Sequence, residues 1–152
     1  MIKQIEDKKE KQKIAREVLE ALTEWFEVEE SREGYISDSK DWIFFASEED
    51  GKNAGFLCLK ETGKATVELA VMGVKKEFHR HGIGRQLFNE AKKTAASMGY
   101  SFMQVKTVKM GVYDDYDITN RFYLACGFQE FEVFETLWDE ANPCQIYVMS
   151  LK

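Results

Sequence analysis

Hydrophobic residues recur along the chain with two different spacings, and each spacing predicts a different kind of secondary structure. Apolar side chains recur at helical spacing over residues 8–26 and 84–98, which predicts two amphipathic helices with charged outer faces. The polar stretch 29–40 predicts a short helix, and Asp117 is placed to cap another short helix that runs to Gly127. Three or four helices are therefore expected.

Between these helices, apolar and polar residues alternate with the period of two that is typical of β-strands. The strand-like segments are residues 2–5, 41–46, 54–59, 66–74, 102–108, 131–137 and 145–151. The segment 66–74 is apolar on both faces, which predicts a central strand. The order of elements predicts a mixed α/β fold of the α+β type, with six or seven strands.

Length and composition favour one folded unit. With 152 residues, one proline and ten glycines, the chain can bury a sizeable core and has no linker-like segment. We therefore expect a single domain over residues 1–152. The first dozen residues mix both charges and lack the apolar core of a secretory signal, and no apolar run is long enough to span a bilayer, so a cytoplasmic protein is expected.

Charge and cysteine content exclude several classes of partner. The net charge of −6 provides no long-range attraction to nucleic acid or to a membrane of anionic lipid. Cys58, Cys126 and Cys144 form an odd, widely spaced set without a CxxC pair, which predicts free thiols and no zinc site. A cationic small molecule or a lysine-bearing peptide suits this surface better, although acidity also serves solubility alone.

The loop between the central strand and the helix at 84–98 combines glycine with basic residues. Gly82 and Gly84 stand one residue apart, directly before the helix. Free backbone N–H groups and the positive end of the helix dipole make such a place a site for phosphate oxygens. The basic neighbours are Lys75, Lys76, Arg80 and Arg85. Taken alone, the pattern also fits a tight turn between strand and helix.

Two other glycine-rich phosphate motifs do not fit this loop. The dinucleotide-binding fingerprint needs a third glycine where Leu87 stands. The P-loop needs a longer loop that ends in Gly-Lys-Ser or Gly-Lys-Thr. Both of these nucleotide-binding classes are excluded.

Three motifs together resemble the GNAT superfamily of acetyl-CoA-dependent N-acetyltransferases. Residues 79–84, His-Arg-His-Gly-Ile-Gly, are similar to the family's acyl-CoA motif Arg/Gln-x-x-Gly-x-Gly/Ala, with histidine in the first position. Residues 72–74 stand where the family has Leu/Ile-x-Val, and residues 122–128 match Phe-Tyr-x-x-x-Gly-Phe. The separations between the motifs and the order of the elements fit the family from end to end.

The resemblance implies a central, mostly antiparallel sheet of six to seven strands, splayed between the fourth and fifth strands and flanked by three to four helices. It also implies acetyl-CoA as the acyl donor, with no metal. The residues that would contact the donor are Met72, Val74, His79, Arg80, His81, Gly82, Ile83, Gly84, Arg85 and Asn120. Many relatives have a CoA-binding Asn where Tyr116 stands here, and Asn120 is out of register with it.

The resemblance further implies direct attack of a neutral amine on the thioester carbonyl, with release of CoA as a thiolate. Glu68, the only charged residue of the central strand, would act as general base through a water molecule. Tyr123 would protonate the thiolate, and a backbone N–H near Met72 would bind the oxyanion. Two alternatives stay open: Glu68 is solvated or salt-bridged, and Tyr123 is a core aromatic beside Phe122.

Acceptor contacts are expected close to the helix that carries Tyr123, where relatives admit their substrate. The candidates are Tyr113, Asp114, Asp115, Tyr116 and Trp138. A solvated acidic loop is the alternative. The only histidines, His79 and His81, have no ligands at metal-binding spacing and no partner nucleophile, so neither a metal site nor Ser-His-Asp chemistry is expected.

Two classes of function remain: an enzyme, and an acyl-CoA-binding module that serves regulation without catalysis. The presence of both Glu68 and Tyr123 favours the enzyme. The acceptor stays open among polyamine, amino acid, antibiotic, peptide N-terminus and protein lysine, and so does the length of the acyl chain. Exposed edge strands favour a homodimer.

Overall fold

The computed structural model describes residues 1–152 and contains one seven-stranded sheet with helices on both faces. The strands are β1 (Ile2–Ile5), β2 (Ile43–Glu49), β3 (Lys52–Gly63), β4 (Thr66–Val74), β5 (Phe102–Val108), β6 (Gln129–Asp139) and β7 (Asn142–Ser150). The helices are α1 (Lys8–Glu20), α2 (Glu29–Ser39), α3 (Ile83–Ser97) and α4 (Asp114–Ala125). None of them combines the length and the apolar character that a membrane crossing requires. The predicted mixed fold class is confirmed.

The sheet has the order β1-β2-β3-β4-β5-β7-β6, and every neighbouring pair is antiparallel except β4 and β5. These two parallel strands pair only from Thr66 opposite Phe102 to Glu68 opposite Gln104. Beyond Glu68 they separate, so the second half of β4 faces an opening on that side. The predicted splay between the fourth and fifth strands is confirmed.

A β-bulge interrupts β4 at Ala70. Leu69 pairs with Leu59 and Val71 pairs with Cys58, which leaves Ala70 without a partner on β3. Leu69 belongs to the core cluster beneath α3 and α4, whereas Val71 belongs to the cluster beneath α1 and α2. The bulge therefore exchanges the two faces of the strand, close to the point where β4 and β5 separate.

The sheet is packed from both sides. α3 and α4 cover a cluster of 18 buried residues, and α1 and α2 cover a second cluster of 12. Aromatic side chains such as Phe44, Phe56 and Phe88 are fully enclosed in these layers. Because buried apolar area is the main favourable term in folding, the two layers hold the middle of the sheet in a fixed position.

The helix predicted over residues 8–26 is shorter than expected. Asp7 caps its start by accepting a hydrogen bond from the Glu10 N–H at 2.8 Å, and the helix ends at Glu20. Trp25 leaves the helical path and packs edge-on against the ring of His79, with 5.9 Å between ring centroids. In the sequence, the apolar periodicity simply continues past Glu20. It does not show that Trp25 contacts a distant residue instead of extending the helix.

The predicted cap of the fourth helix is wrong. Asp117 lies inside α4, where its carboxylate accepts a hydrogen bond from the Gly111 N–H at 2.7 Å, and Tyr113 occupies the N-cap position. The acidic residues of the first turn, Asp114 and Asp115 among them, stabilise the positive end of the helix instead. The helix ends, as predicted, just before Gly127.

Candidate active site

The loop after β4 leads into the N-terminus of α3, and no side chain caps that helix. Gly82 is the N-cap residue, with a φ of 74°, and its carbonyl accepts the first helical hydrogen bond from the Gln86 N–H at 3.0 Å. The N–H groups of Ile83, Gly84 and Arg85 therefore have no partner within the helix. Together with the helix dipole they form a site for an anion.

Two of the four basic residues around this loop are already paired. Lys75 contacts the carboxylate of Glu17, and Lys76 contacts that of Glu24. The hydrogen bond from Lys75 holds the pKa of Glu17 below its usual value. These lysines join the loop to α1 and the segment behind it, so their charge is not free for a phosphate group.

The two arginines remain at the rim of the anion site. Arg80 is exposed, forms no ion pair and has a left-handed φ of 66°, which makes the loop turn sharply. Arg85 donates one N–H to the Ala125 carbonyl at 3.2 Å and so links α3 to the end of α4. A guanidinium has five N–H donors, so Arg85 retains donors for a ligand.

Both histidines of the loop are exposed, yet the ring of each contacts another part of the protein. The Nε2 atom of His79 lies 2.7 Å from the carbonyl oxygen of Val74, and its ring packs against Trp25. The ring of His81 packs edge-on against Phe78, 6.3 Å away. His79 thus fixes the path of the loop out of β4. No group of three or more His, Cys, Asp or Glu side chains is placed as metal ligands would be.

Tyr123 lies on the inner face of α4 and is 7% exposed. The rings of Phe128 and Tyr147 lie 5.7 and 6.2 Å from its own. Its hydroxyl makes no hydrogen bond within the chain, and its ring is packed among other aromatic rings. Burial raises the pKa of this phenol far above its usual value. The hydroxyl therefore keeps its proton at any physiological pH.

The end of α4 explains the Gly-Phe part of the third motif. Gly127 adopts a φ of 104°, and the Phe128 N–H reaches back to the Tyr123 carbonyl at 3.1 Å. This is a helix-ending arrangement that needs glycine. The Phe128 ring then packs between Tyr123 and Phe88. The motif thus holds the helix turn that carries the phenol.

Asn120 is fully buried and has its own protein partners. Its side-chain N–H groups donate to the carbonyls of Val108 at 2.9 Å and Tyr116 at 2.6 Å. Its oxygen accepts a hydrogen bond from the Tyr147 hydroxyl at 2.6 Å. Every polar atom of the amide is thus used inside the protein, which gives Asn120 a structural role, and a contact of this residue with CoA stays a prediction.

Replacing Asn120 with alanine is expected to lower the free energy of unfolding by about 3 kcal/mol, because it removes three hydrogen bonds and leaves the Tyr147 phenol without its partner in the core. Urea denaturation measures this loss. Asn53→Ala removes an amide of the same size from the surface and is expected to cost about 0.5 kcal/mol or less. A loss for Asn120→Ala no larger than that of Asn53→Ala would contradict the structural role.

Glu68 points away from the α3 layer and towards α2. Its carboxylate is 14% exposed and lies 3.0 Å from the Nζ atom of Lys106 on β5. Lys60 stands directly opposite Glu68 on β3. The salt-bridged alternative for Glu68 is therefore what the structure contains, and the carboxylate remains open to a cavity.

We call this space the acceptor cavity; its volume is about 380 Å³. It lies between α2 and the floor formed by β3, β4 and β5. Its lining residues are Ser31, Gly34, Tyr35, Asp38, Trp42, Lys60, Glu68, Ala70, Lys106 and Trp138. A cavity of this size accepts a small organic molecule.

Of the acceptor contacts expected from the sequence, only Trp138 lines the acceptor cavity. Tyr113, Asp114 and Asp115 are exposed on the first turn of α4. Tyr116 is half-buried, and burial raises the pKa of its phenol. The aromatic and acidic segment before Tyr123 thus lies mostly outside the cavity.

The contribution of α2 is the part of the site that the sequence interpretation missed. Ser31, Gly34, Tyr35 and Asp38 share one face of this helix, because their spacing follows the helical repeat. Burial raises the pKa of Tyr35, and the nearby Tyr116 and Glu68 add to the rise. The helical spacing of these polar and small residues was the signal in the sequence that could have placed them together in a site. It was weak, because α2 has little amphipathic character.

Comparisons with known proteins agree with this geometry. The sequence profile of the acetyltransferase (GNAT) family matches residues 11–128, which is most of the chain. A search of curated proteins finds no match. Three solved structures illustrate the fold that the chain shares.

A GNAT-family protein from Desulfovibrio desulfuricans is 19% identical, with a TM-score of 0.86 over 100% of this chain and 99% of that one. An aminoglycoside 6'-acetyltransferase type Ii is 19% identical, with a TM-score of 0.81 over 100% and 97% of the two chains. An aminoglycoside 6'-N-acetyltransferase complexed with coenzyme A is 16% identical, with a TM-score of 0.76 over 100% and 97%. At these identities the likeness establishes the fold alone.

Proposed function

The chain belongs to the acetyltransferase (GNAT) family, as its three motifs predict, and on that basis we propose that it transfers an acetyl group from acetyl-CoA to a primary amine of a small molecule or peptide. The observation that carries the proposal is the uncapped N-terminus of α3 beside the splay of β4 and β5. Residues 1–152 would form one N-acetyltransferase domain.

Binding of the donor is assigned to the anion site. The pyrophosphate of CoA would accept hydrogen bonds from the free N–H groups of Ile83, Gly84 and Arg85, and the guanidinium groups of Arg80 and Arg85 would add charge. The thioester would then lie in the splay beside Met72. The proposal is supported by the lack of a side-chain cap at this helix end, by the exposure of Arg80 and Arg85, and by the left-handed turn at Gly82, where glycine leaves no Cβ.

The transfer needs two proton steps, and two residues are available for them. Glu68 accepts a proton from the amine through water, and the neutral nitrogen attacks the carbonyl carbon, so that a C–N bond forms as the C–S bond breaks. The leaving thiolate takes the proton of the Tyr123 hydroxyl. The proton held by Glu68 and the excess proton of the new amide nitrogen pass to solvent, and the phenolate is reprotonated from solvent. The products are the N-acetylated amine and CoA.

A thiol-release assay with acetyl-CoA and a panel of primary amines tests this function. Release of CoA that depends on both the enzyme and the amine, with the acetylated amine found by mass spectrometry, is the expected result. Binding of acetyl-CoA without turnover of any amine in the panel would favour a non-catalytic acyl-CoA-binding module. The absence of both binding and turnover would refute the assignment.

Glu68→Gln is expected to lower kcat/KM about ten- to a hundredfold at neutral pH, because the amide cannot accept the proton from the amine. Glu132→Gln, an exposed position on β6, is the matched control. A kcat/KM for Glu68→Gln equal to that of Glu132→Gln would exclude Glu68 as the base.

A further inference from the structure

The floor of the acceptor cavity carries two cations beside the carboxylate of Glu68. Lys106 on β5 lies 3.0 Å from that carboxylate, and Lys60 is its direct cross-strand neighbour on β3. Directly opposed residues on one sheet face lie roughly 5 Å apart at their Cβ atoms, which places Lys60 beside Glu68. Lys106 lies two residues beyond Gln104, the β5 residue opposite Glu68, and reaches the carboxylate diagonally, so the three charges form a staggered row across three strands. Lys60 has no carboxylate partner, and its Nζ lies 6.0 Å from the ring centroid of Trp42.

This arrangement differs from the surface of the whole chain. The net charge of the protein is −6, whereas the acceptor cavity is lined by two lysines and two carboxylates, those of Asp38 and Glu68. A polyamine that entered the cavity would bring its charges against Lys60 and Lys106. The cavity is thus built for a ligand that carries both signs of charge.

Half of the remaining lining residues of the cavity are aromatic. Trp42 and Trp138 contribute indole rings, and Tyr35 contributes a phenol from α2. Large flat side chains of this kind bury apolar groups well. The volume of about 380 Å³ lies near the lower end of the range for small-molecule sites. A single amino acid with a large apolar side chain has the matching size.

We propose that the acceptor is an amine that also carries a carboxylate, of the size of one apolar amino acid. Its carboxylate binds Lys60 and Lys106, its amino group faces Glu68, and its side chain packs between Trp42 and Trp138. This inference rests on the proposed function and names the substrate class of the same site.

The ion pair between Glu68 and Lys106 explains why both charges are required in the substrate. In the free protein these two side chains are hydrogen-bonded to each other. An amine without a carboxylate that engaged Glu68 would leave Lys106 without its partner in a half-buried place, which is costly. A substrate with both charges replaces the ion pair between Glu68 and Lys106 with two ion pairs of its own, one to each of these residues. Glu68 is then released from Lys106 and can act on the amine.

A set of matched amines tests the proposal. Phenylalanine, phenylalaninamide and phenylethylamine share the aromatic side chain and differ in the carboxylate, and spermidine represents the polyamines. The kcat/KM for phenylalanine is expected to exceed that of each other amine by about tenfold or more, the size of one charged contact. Measuring each amine at several pH values separates this preference from the different basicity of the amino groups.

Lys60→Gln isolates the carboxylate contact without touching Glu68. The expected result is a KM for phenylalanine raised about tenfold with kcat nearly unchanged, and a much smaller change for phenylalaninamide, because the lost contact is one of binding to the carboxylate. Lys60→Arg should restore most of the affinity. Lys64→Gln, in the exposed turn after β3, is the control for a simple change of net charge.

Binding is also measured without catalysis, from the fluorescence of Trp42 and Trp138 in the protein saturated with acetyl-CoA or CoA. A response to phenylalanine that is lost in Lys60→Gln supports the proposal even if no acetyl transfer occurs, in which case only the proposed function fails. Turnover of phenylethylamine or spermidine with a kcat/KM equal to or above that of phenylalanine overturns the proposal and leaves the acetyltransferase standing. The absence of both a fluorescence response and turnover with phenylalanine also overturns it.

Discussion

Tyr123→Phe is expected to lower kcat by about 10² to 10³, the usual contribution of a general acid, while acetyl-CoA still binds. The change removes only the hydroxyl, which has no hydrogen-bond partner in the protein. The aromatic packing against Phe128 and Tyr147 is retained, so the stability should stay within about 0.5 kcal/mol of the wild type. Steady-state kinetics and calorimetric titration with acetyl-CoA separate the two effects.

Tyr100→Phe is the matched control for this variant. Tyr100 donates its hydroxyl to Glu61 at 2.7 Å, on the surface near the start of β5 and far along the sheet from the loop after β4. It should leave kcat unchanged. If Tyr123→Phe retained wild-type kcat, the leaving thiolate would not take its proton from Tyr123, and the core-aromatic alternative for this residue would stand.

Gly84→Asp is expected to weaken the binding of acetyl-CoA by about a hundredfold or more. A carboxylate at this position repels the pyrophosphate and competes for the free N–H groups of α3, and the loss of roughly 3 kcal/mol corresponds to two charge-assisted hydrogen bonds. The site has room for the new side chain, because a Cβ at Gly84 would lie 3.5 Å from Phe122, an ordinary van der Waals contact. Calorimetric titration measures the change in Kd.

Gly63→Asp is the matched control, because it adds the same negative charge at a position outside the anion site. Gly63 ends β3, and a Cβ there meets no atom within 4 Å. Its Kd for acetyl-CoA should equal that of the wild type within about a factor of two, since distant surface charges are largely screened by salt. Equal affinities in Gly84→Asp and the wild type would place the phosphates elsewhere on the protein.

The elements with strong local signals were predictable from the sequence. β4 and β5 match their predicted bounds, and α3 begins within one residue of its predicted start, because alternation and helical periodicity are both local properties. The anion loop was also predictable, since glycines before a helix act through the backbone of a few consecutive residues. In these cases the local pattern and the tertiary structure agree.

Features that depend on distant partners were not predictable. The end of α1 is set where Trp25 turns away to His79, some fifty residues along the chain, and the bulge at Ala70 appears only in the register of β4 against β3. Asn120 has a polar side chain on a helix beside a functional motif, which is equally typical of a ligand contact. Its structural role depends on the hydrogen bond from Tyr147, which lies on β7.

The acceptor side of the site shows the same limit. Its charged row combines residues from three strands, and its wall comes from α2. Net acidity suggested a cationic substrate, but the surface average does not describe the lysines that line the cavity. Only the pairing of β3, β4 and β5 brings Lys60, Glu68 and Lys106 together.

The central claim, that acetyl-CoA binds at the N-terminus of α3, is tested most directly by nitrogen-edited NMR of the protein during titration with acetyl-CoA. The account predicts saturable shifts of the amide signals of Ile83, Gly84 and Arg85, because these N–H groups gain a phosphate partner, and it predicts small changes at the start of β5. Saturable shifts confined to other parts of the protein, or no shifts at all, would contradict it.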